Sequence, residues 1–291
     1  MGREKTVIIV GAGMAGLAAA DLLSAHGVDL LILDENPHTG GQFLRPRATR
    51  HGRLGLPAPD RTREAGMRIA ARLRERKVPV LHGTRVLGVF PERRLWAADS
   101  RDRILELRPA FLILATGARE RFLPFPGWIL PGVVSTGAAQ ILIKGSGVLP
   151  ARRMTVGGSG PLMLLVAAAA AAAGGRVSAV LDQGSVARKA SILNLGPVHW
   201  PRLLQGASAL ARLALARVPV RSSVRILAAE GKDRVERVVA VRIDRSGRAV
   251  PGTERAIPTE ALAVGYGFVP NVELASQAGC RIVYSEDLGG W

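Results

Sequence analysis

The sequence predicts an α/β fold made of two similar halves. Each half has a short apolar strand, a glycine-rich loop (residues 11–16 and 157–161) and an apolar helix, in that order. In each half a second apolar strand then ends at an acidic residue, and a later helix runs into the sequence Val-Pro-Val. This order of parts is typical of Rossmann-like nucleotide-binding domains. We therefore expect two such domains, the second inserted into the first.

The composition fits a globular chain of two ordinary domains. Apolar residues make up 48% of the 291 residues and charged residues 22%, the balance of a folded chain rather than a disordered one. The formal net charge of +17 is spread along the sequence, and aromatic residues make up only 4%. Because nucleic-acid surfaces usually cluster their basic residues, we expect no nucleic-acid partner. An acidic protein surface is the expected use of this charge.

Cysteine and histidine usage excludes several kinds of site. Cys280 is the single cysteine, so the chain has no disulfide framework, redox-active cysteine pair or cysteine-ligated cluster of its own. We expect Cys280 to be an ordinary buried thiol. The five histidines lack ligand-like spacing, so no metal site is expected. No signal peptide precedes the first strand, and the apolar run 162–173 is too short to span a bilayer, so the expected location is cytoplasmic.

The first glycine loop carries the strongest binding signal. An apolar strand at residues 7–10 leads directly into Gly11-Ala12-Gly13-Met14-Ala15-Gly16, and a helix is predicted over residues 17–26. The first glycine permits a tight turn, the second lets the backbone approach a pyrophosphate, and the third lets the helix pack closely on the strand. The helix N-terminus offers free N–H groups to phosphates. We predict that Gly11, Gly13, Met14, Ala15 and Gly16 bind a dinucleotide.

A ribose-binding acid is predicted at the end of the second strand, residues 29–33. Asp34 directly ends this apolar run, at the distance from the glycines where a ribose hydroxyl is normally bound. Asp34 is therefore the first candidate and Glu35 the second.

The second glycine loop departs from the full motif. Gly158, Ser159, Gly160 and Pro161 precede the helix predicted over residues 162–173, but the third glycine position holds Met163. Asp182 ends the next strand and would suit the ribose of NAD rather than NADP. NAD binding here and a scaffold without a nucleotide both stay open.

Further motifs resemble the FAD-binding two-dinucleotide oxidoreductases. A Gly-Gly pair at residues 40–41 follows Asp34 at the family's spacing, and a strand at residues 111–114 ends in Ala-Thr-Gly. In the family, backbone groups at the position of Val86 contact the adenine. The resemblance implies FAD at the first site. The contacts that it implies beyond the glycine loop are Gly41, Gln42, Val86, Ala115, Thr116 and Gly117.

The sequence GYGFVPN at residues 265–271 makes the resemblance more specific. Together with residues 115–121 and 124–128, it is similar to the pyridine nucleotide-disulfide-type subunits of heteromeric amino-acid dehydrogenases, which include hydrogen cyanide synthase B, opine oxidase A and proline and hydroxyproline dehydrogenase subunits. The resemblance implies a glutathione-reductase-like arrangement. Residues 1–117 would begin the FAD domain, residues 118–250 would form the inserted NAD-like domain, and residues 251–291 would return to the first.

The function that the resemblance implies is electron transfer within a larger enzyme. The chain would be an FAD-binding subunit, and a partner flavoprotein of D-amino-acid-oxidase type would oxidise a proline, hydroxyproline, opine or glycine-type substrate. A further candidate partner is an iron–sulfur subunit. The family's Gly-Asp motif and cysteine-rich segment are not in this sequence. Two alternatives therefore stay open: an NAD(P)H-dependent flavin reductase, and a non-catalytic scaffold that holds only an adenine nucleotide. No catalytic residue is predicted.

Overall fold

A computed structural model describes residues 6–45, 61–184, 200–286 and 289–291, with the side chains of 61, 62 and 200–203 left aside. The chain divides into two compact units. Within the described ranges, unit 1 contains residues 6–45, 61–119 and those after 268, and unit 2 contains residues 120–184 and 200–268. Each unit contains a parallel sheet with helices, so the predicted α/β fold is confirmed.

The elements are numbered in chain order through both units. They are β1 (Val7–Val10), α1 (Met14–Ala25), β2 (Leu30–Leu33), α2 (Arg61–Glu75), β3 (Val80–Leu81), β4 (Arg85–Phe90), β5 (Arg94–Ala98), β6 (Ile104–Leu107), β7 (Phe111–Leu114), β8 (Ala118–Glu120), β9 (Val133–Ser135), α3 (Thr136–Gln140), β10 (Arg153–Gly158), α4 (Pro161–Ala172), β11 (Arg176–Asp182), α5 (Trp200–Leu215), β12 (Val220–Ser222), β13 (Val224–Glu230), β14 (Arg237–Arg242), β15 (Arg255–Pro258), β16 (Ala261–Gly265), β17 (Phe268–Pro270) and α6 (Glu273–Gln277). A π-helical turn, Ile141–Ser146, continues α3.

Unit 1 is built on a four-stranded parallel sheet in the order β3-β2-β1-β7. Successive side chains of β1 point to opposite faces. Val7 and Ile9 pack in the cluster that contains Leu17 of α1 and Leu73 of α2. Ile8 lies on the other face, in a cluster with residues of the antiparallel sheet β4-β5-β6. Both faces of the sheet are therefore covered, which explains the continuous apolar character of β1 and β2.

Unit 2 repeats this layered arrangement. Its five-stranded parallel sheet has the order β12-β11-β10-β16-β9. Ala261 and Ala263 of β16 pack in the cluster that contains residues of α4 and α5, whereas Leu262 lies in the cluster formed with β13 and β14. The antiparallel sheet β13-β14-β15 thus covers one face of the parallel sheet and the helices cover the other.

The two Val-Pro-Val segments follow helices that end in the same way. Lys77 and Arg217 have left-handed backbones, with φ of 54° at both positions. The N–H of Val78 then donates to the Leu73 carbonyl at 3.0 Å, and that of Val218 to the Leu213 carbonyl at 2.8 Å. This hydrogen bond back to the last helical turn ends α2 and α5 and directs the chain into the next strand.

Several details differ from the expectations. The helix α1 begins at Met14, earlier than residue 17, because its first turn is formed by the glycine loop itself. Unit 2 extends to residue 268, past the expected 250, because β16 pairs with β10 and β9. Of the strands in the antiparallel sheet β4-β5-β6, the sequence predicts the first and the third, over residues 86–90 and 104–107, but not β5. None of the described helices has the length and apolar character needed to cross a bilayer.

Candidate functional site

The first glycine of the unit 1 loop is required by its neighbours. Gly11 has φ of +102°, and a Cβ there would lie 2.3 Å from the carbonyl oxygen of Ala115, which follows the adjacent strand β7. The Gly11 N–H donates to the Leu33 carbonyl at 2.8 Å. The loop is therefore held between the carboxyl ends of β2 and β7, and no side chain fits at this position.

The other two glycines open the N-terminus of α1. A Cβ at Gly16 would lie 1.9 Å from the Gly11 carbonyl oxygen, so Gly16 lets the helix pack against the loop. At Gly13, the residue that precedes the helix, a Cβ would meet no atom of the described residues within 4 Å, and none of their side chains caps the helix. The first N–H groups of a helix have no partner within it, and they carry the positive end of the dipole. The loop thus presents these donors, those of Met14 and Ala15 among them, to open space.

Asp34 reaches the glycine loop from the end of β2. It is only 5% exposed, and the Ala12 N–H donates to its Oδ2 at 2.5 Å. Its Oδ1 accepts from the backbone N–H and the side-chain amide of Asn36, at 2.7 and 2.9 Å. A carboxylate has about four lone-pair sites, so roughly one remains on Oδ2 for a ligand hydroxyl. Glu35, the second candidate, is exposed and makes none of these contacts.

The Gly-Gly pair lies against the same loop. The Gly40 N–H donates to the Ala12 carbonyl at 2.8 Å. Gly41 has φ of +56°, and a Cβ there would lie 3.0 Å from the Gly13 Cα. Gln42 is exposed and its side chain accepts a hydrogen bond from Arg45. The structure therefore brings Gly41 to the loop, whereas the Gln42 side chain points to solvent.

The Ala-Thr-Gly segment closes the other side of the loop. The Ala115 N–H donates to the Val10 carbonyl at 2.8 Å, which continues the pairing of β7 with β1. Gly117 has a left-handed backbone with φ of +70°. Val86 lies in β4, paired with Ala97, and its side chain packs against the core cluster under the sheet.

Two further residues, Asn36 and Thr84, support Asp34, and the sequence interpretation missed them. Asn36 forms an Asx turn with Asp34, for which the Asp-x-Asn spacing was an available signal. The buried Thr84 donates its N–H to the Asp34 carbonyl at 2.9 Å. His82 lies 3.2 Å from the Thr39 hydroxyl. These contacts join the segments after β2 and β3, and only the folded chain brings them together.

The glycine loop of unit 2 has the same first step. Gly158 has φ of +128°, and a Cβ there would lie 1.9 Å from the Gly265 carbonyl oxygen at the end of β16. Gly160 has φ of +96°, and within the described ranges no atom lies within 4 Å of a Cβ built there. Pro161 begins α4. Met163, at the third glycine position, is 2% exposed and packs in the core.

The acid of unit 2 is also buried beside its loop. Asp182 is 1% exposed and accepts from the Gly184 N–H at 2.9 Å. The neighbouring Gln183 N–H donates to the Gly158 carbonyl at 2.7 Å. Tyr266 follows Gly265, against which Gly158 packs. Burial raises the pKa of the Tyr266 phenol, although the charge of Arg225 opposes the shift. The structure thus brings together Gly158, Ser159, Gly160 and Asp182.

Other expected features lie away from both loops. Cys280 is exposed, so the prediction of a buried thiol was wrong. The reason is its place after the end of α6, where its N–H donates to the Ala275 carbonyl at 2.9 Å and its side chain leaves the core. Two surface cavities, of about 510 and 630 Å³, lie in unit 2, and the residues that line them do not belong to either glycine loop. No group of metal-ligating side chains was found in the described ranges.

Comparisons with known proteins place this geometry in a family. The family model described as pyridine nucleotide-disulphide oxidoreductase matches residues 5–286. The HcnB subunit of hydrogen cyanide synthase from Pseudomonas aeruginosa is 35% identical, and the match covers 96% of this chain and 60% of that protein. The opine oxidase A protein of Rhizobium meliloti, which is one subunit of that oxidase, is 31% identical, over 97% of this chain and 53% of that protein.

A solved structure shows the same fold. L-proline dehydrogenase from P. horikoshii superposes with a TM-score of 0.63 at 19% identity, covering 97% of this chain and 46% of that one. The chain spans about three fifths or less of the length of hydrogen cyanide synthase HcnB and of opine oxidase A, the two curated relatives named above.

Proposed function

Because the chain belongs to the pyridine nucleotide-disulphide oxidoreductase family, we propose that unit 1 binds FAD through its ADP half. We further propose that the chain is the electron-transfer subunit of a heteromeric amino-acid or amine dehydrogenase, whose substrate is oxidised in a partner subunit. The observation that carries the proposal is the buried Asp34 carboxylate beside an uncapped helix N-terminus.

The residues of unit 1 fit an ADP group. The open space over Gly13 and the free N–H groups of α1 suit a pyrophosphate. The remaining acceptor site of Asp34 suits a ribose hydroxyl, which needs a hydrogen-bond acceptor. FAD would supply two-electron redox chemistry when bound. The proposed contacts are Gly11, Gly13, Met14, Ala15, Gly16, Asp34, Gly41, Gln42, Val86, Ala115, Thr116 and Gly117.

The subunit role is supported by the relatives and by charge. Both relatives named above are described as subunits, one of hydrogen cyanide synthase and one of opine oxidase. The formal net charge of +17 favours association with an acidic surface, since complementary charge accelerates and orients encounter. We propose a D-amino-acid-oxidase-type flavoprotein as the first partner and an iron–sulfur subunit as the second.

The test begins with the absorption spectrum of the purified chain and chromatography of the nucleotide released on denaturation. The proposal predicts FAD, with loss of amino-acid:dye reductase activity when this subunit is deleted from the complex. Full activity without the subunit would contradict the electron-transfer role. A colourless chain that carries ADP or ATP would instead support a nucleotide-binding scaffold.

A second candidate function is favoured by the unit 2 loop. Asp182 is buried beside Gly158, and Gly160 leaves open space before α4. These features suit an NAD ribose and pyrophosphate, and an NAD(P)H-dependent flavin reductase would use them. Anaerobic addition of NADH discriminates the two functions, because the reductase would bleach the bound flavin and the electron-transfer subunit would not.

A further inference from the structure

A network of hydrogen bonds holds the segment that follows the Ala-Thr-Gly sequence to the segment before α6. The Thr116 hydroxyl donates to the Asn271 carbonyl at 2.8 Å, across a sequence separation of 155 residues. The Asn271 side-chain amide donates to the Thr116 carbonyl at 2.8 Å, and its backbone N–H donates to the Gly117 carbonyl at 3.0 Å. We call Thr116, Gly117 and Asn271 the Asn271 clasp.

Arg119 fixes the orientation of the Asn271 amide. One of its guanidinium nitrogens donates to Asn271 Oδ1 at 3.0 Å, so the amide nitrogen is the atom that faces Thr116. The same guanidinium forms an ion pair with Glu273 at 2.6 Å, in which both side chains are more than half exposed. The amide therefore acts as donor and acceptor at once, which neither a carboxylate nor an apolar side chain can do.

The clasp lies directly beside the glycine loop of unit 1. Ala115, the residue before Thr116, places its carbonyl oxygen 2.3 Å from where a Gly11 Cβ would be. It also places its Cβ 3.4 Å from the position of a Gly16 Cβ. A displacement of Thr116 would move Ala115 with it, because the two share a peptide bond. The backbone that shapes the loop is thus held in place by Asn271.

We propose that Asn271 is a positioning residue for the nucleotide site, acting through Thr116 and Ala115 without touching the ligand. Nucleotide binding is then thermodynamically coupled to docking of residues 269–277, so that each favours the other. The inference rests on the proposed function, because it assumes that an adenine nucleotide binds the first glycine loop.

The experiment measures the affinity of the chain for ADP by calorimetry, after any nucleotide that copurifies with it has been removed. In Asn271→Asp, the acceptor for Arg119 is kept but the donor to the Thr116 carbonyl is lost and two oxygens oppose each other. We expect the ADP affinity to fall about tenfold. The matched control is Glu273→Gln, which removes the exposed ion pair but leaves the clasp intact. Its affinity should stay within about twofold of the wild type.

The reciprocal measurement begins with the wild type. Saturating ADP should slow amide hydrogen exchange in residues 269–277 of the wild type about tenfold or more, while exchange in β13 of unit 2 stays unchanged. In Asn271→Asp this protection should be lost. A residue that only stabilises the fold would lower the melting temperature without changing the affinity of the protein that remains folded.

The outcomes separate the two proposals. ADP binding by the wild type, with equal affinity in Asn271→Asp or no protection of residues 269–277, overturns the positioning role and leaves the nucleotide site standing. A wild-type chain that does not bind ADP overturns both. Reduced affinity together with lost protection supports the coupling.

Discussion

The two glycine loops are alike at their first glycine and differ at their third. Gly11 and Gly158 both have positive φ, and a Cβ at either would lie within 2.3 Å of a carbonyl oxygen from the neighbouring strand. At the third position, a Cβ on Gly16 would lie 1.9 Å from the Gly11 oxygen, whereas unit 2 accommodates the whole side chain of Met163. The neighbouring strand therefore requires a glycine at the first position. At the third position, a glycine is required only where the helix packs closely against the loop.

The loops also differ in where their first N–H group donates. In unit 1 the Ala12 N–H donates to the carboxylate of Asp34. In unit 2 the corresponding N–H, on Ser159, donates to the Gly265 carbonyl at 2.8 Å. Unit 1 thus joins its acid to the loop directly, and this is the arrangement that we expect to bind a nucleotide more tightly.

The largest effect is expected from Gly16→Ala. The new Cβ would meet backbone at 1.9 Å, so α1 must move away from the loop. We expect a loss of about 3 kcal/mol in the free energy of unfolding of unit 1 and an ADP affinity reduced by about 100-fold or more, measured by urea denaturation and calorimetry. Unchanged affinity would show that close helix packing does not shape this site.

Met163→Gly completes the three-glycine motif of unit 2, and it tests whether the third glycine by itself brings α4 close to the loop. Because Met163 is 2% exposed, its removal leaves a cavity rather than a closer contact. We expect a loss of about 3 kcal/mol in the free energy of unfolding and no gain in NAD affinity. Met163→Leu, which nearly conserves volume, is the control and should cost less than about 1.5 kcal/mol. A tighter NAD site in Met163→Gly would contradict the comparison.

The smallest effect on stability is expected from a substitution in α1, the helix that follows the glycine loop of unit 1. The Arg72 side chain, which hydrogen-bonds to Asp21, holds the pKa of this α1 carboxyl below its usual range, with Arg76 adding to the shift. Ala168 takes the corresponding place in α4 and packs in the core. Because Asp21 and Arg72 are partly exposed, Asp21→Asn should cost at most about 1 kcal/mol at pH 7.

The pH dependence of this ion pair has a definite sign. A carboxyl whose pKa is lowered by folding stabilises the protein above its unfolded pKa, near 4. This contribution is lost as the pH falls through the lower, folded pKa. The melting temperatures of wild type and Asp21→Asn should therefore differ at pH 7 and converge in acid. A difference that persists at the lowest pH at which the protein folds would show that Asp21 acts through packing instead.

Much of the fold follows from local patterns. The strand, glycine loop, helix and terminal acid are adjacent in sequence, so the parallel sheets and the place of Asp34 could be predicted. The strand β5 could not, because the preceding hairpin turns through Glu92 and Arg93, both with positive φ, and lacks the usual Asn-Gly signal.

The support around the site could not be predicted for a different reason. Asn271 contacts Thr116 across 155 residues, and Thr84 reaches Asp34 from the segment after β3. No local pattern encodes such pairs, since they exist only once the sheet has formed. The exposure of Cys280 likewise depends on where α6 ends.

The most direct test of the account is the ADP affinity of Asp34→Asn compared with that of Asp182→Asn. Asn at residue 34 would place an amide donor against the Ala12 N–H or lose the ribose acceptor. We predict that ADP affinity falls about 10- to 100-fold in Asp34→Asn and stays at the wild-type value in Asp182→Asn. Wild-type affinity in Asp34→Asn, or a loss confined to Asp182→Asn, would contradict the assignment of the nucleotide to unit 1.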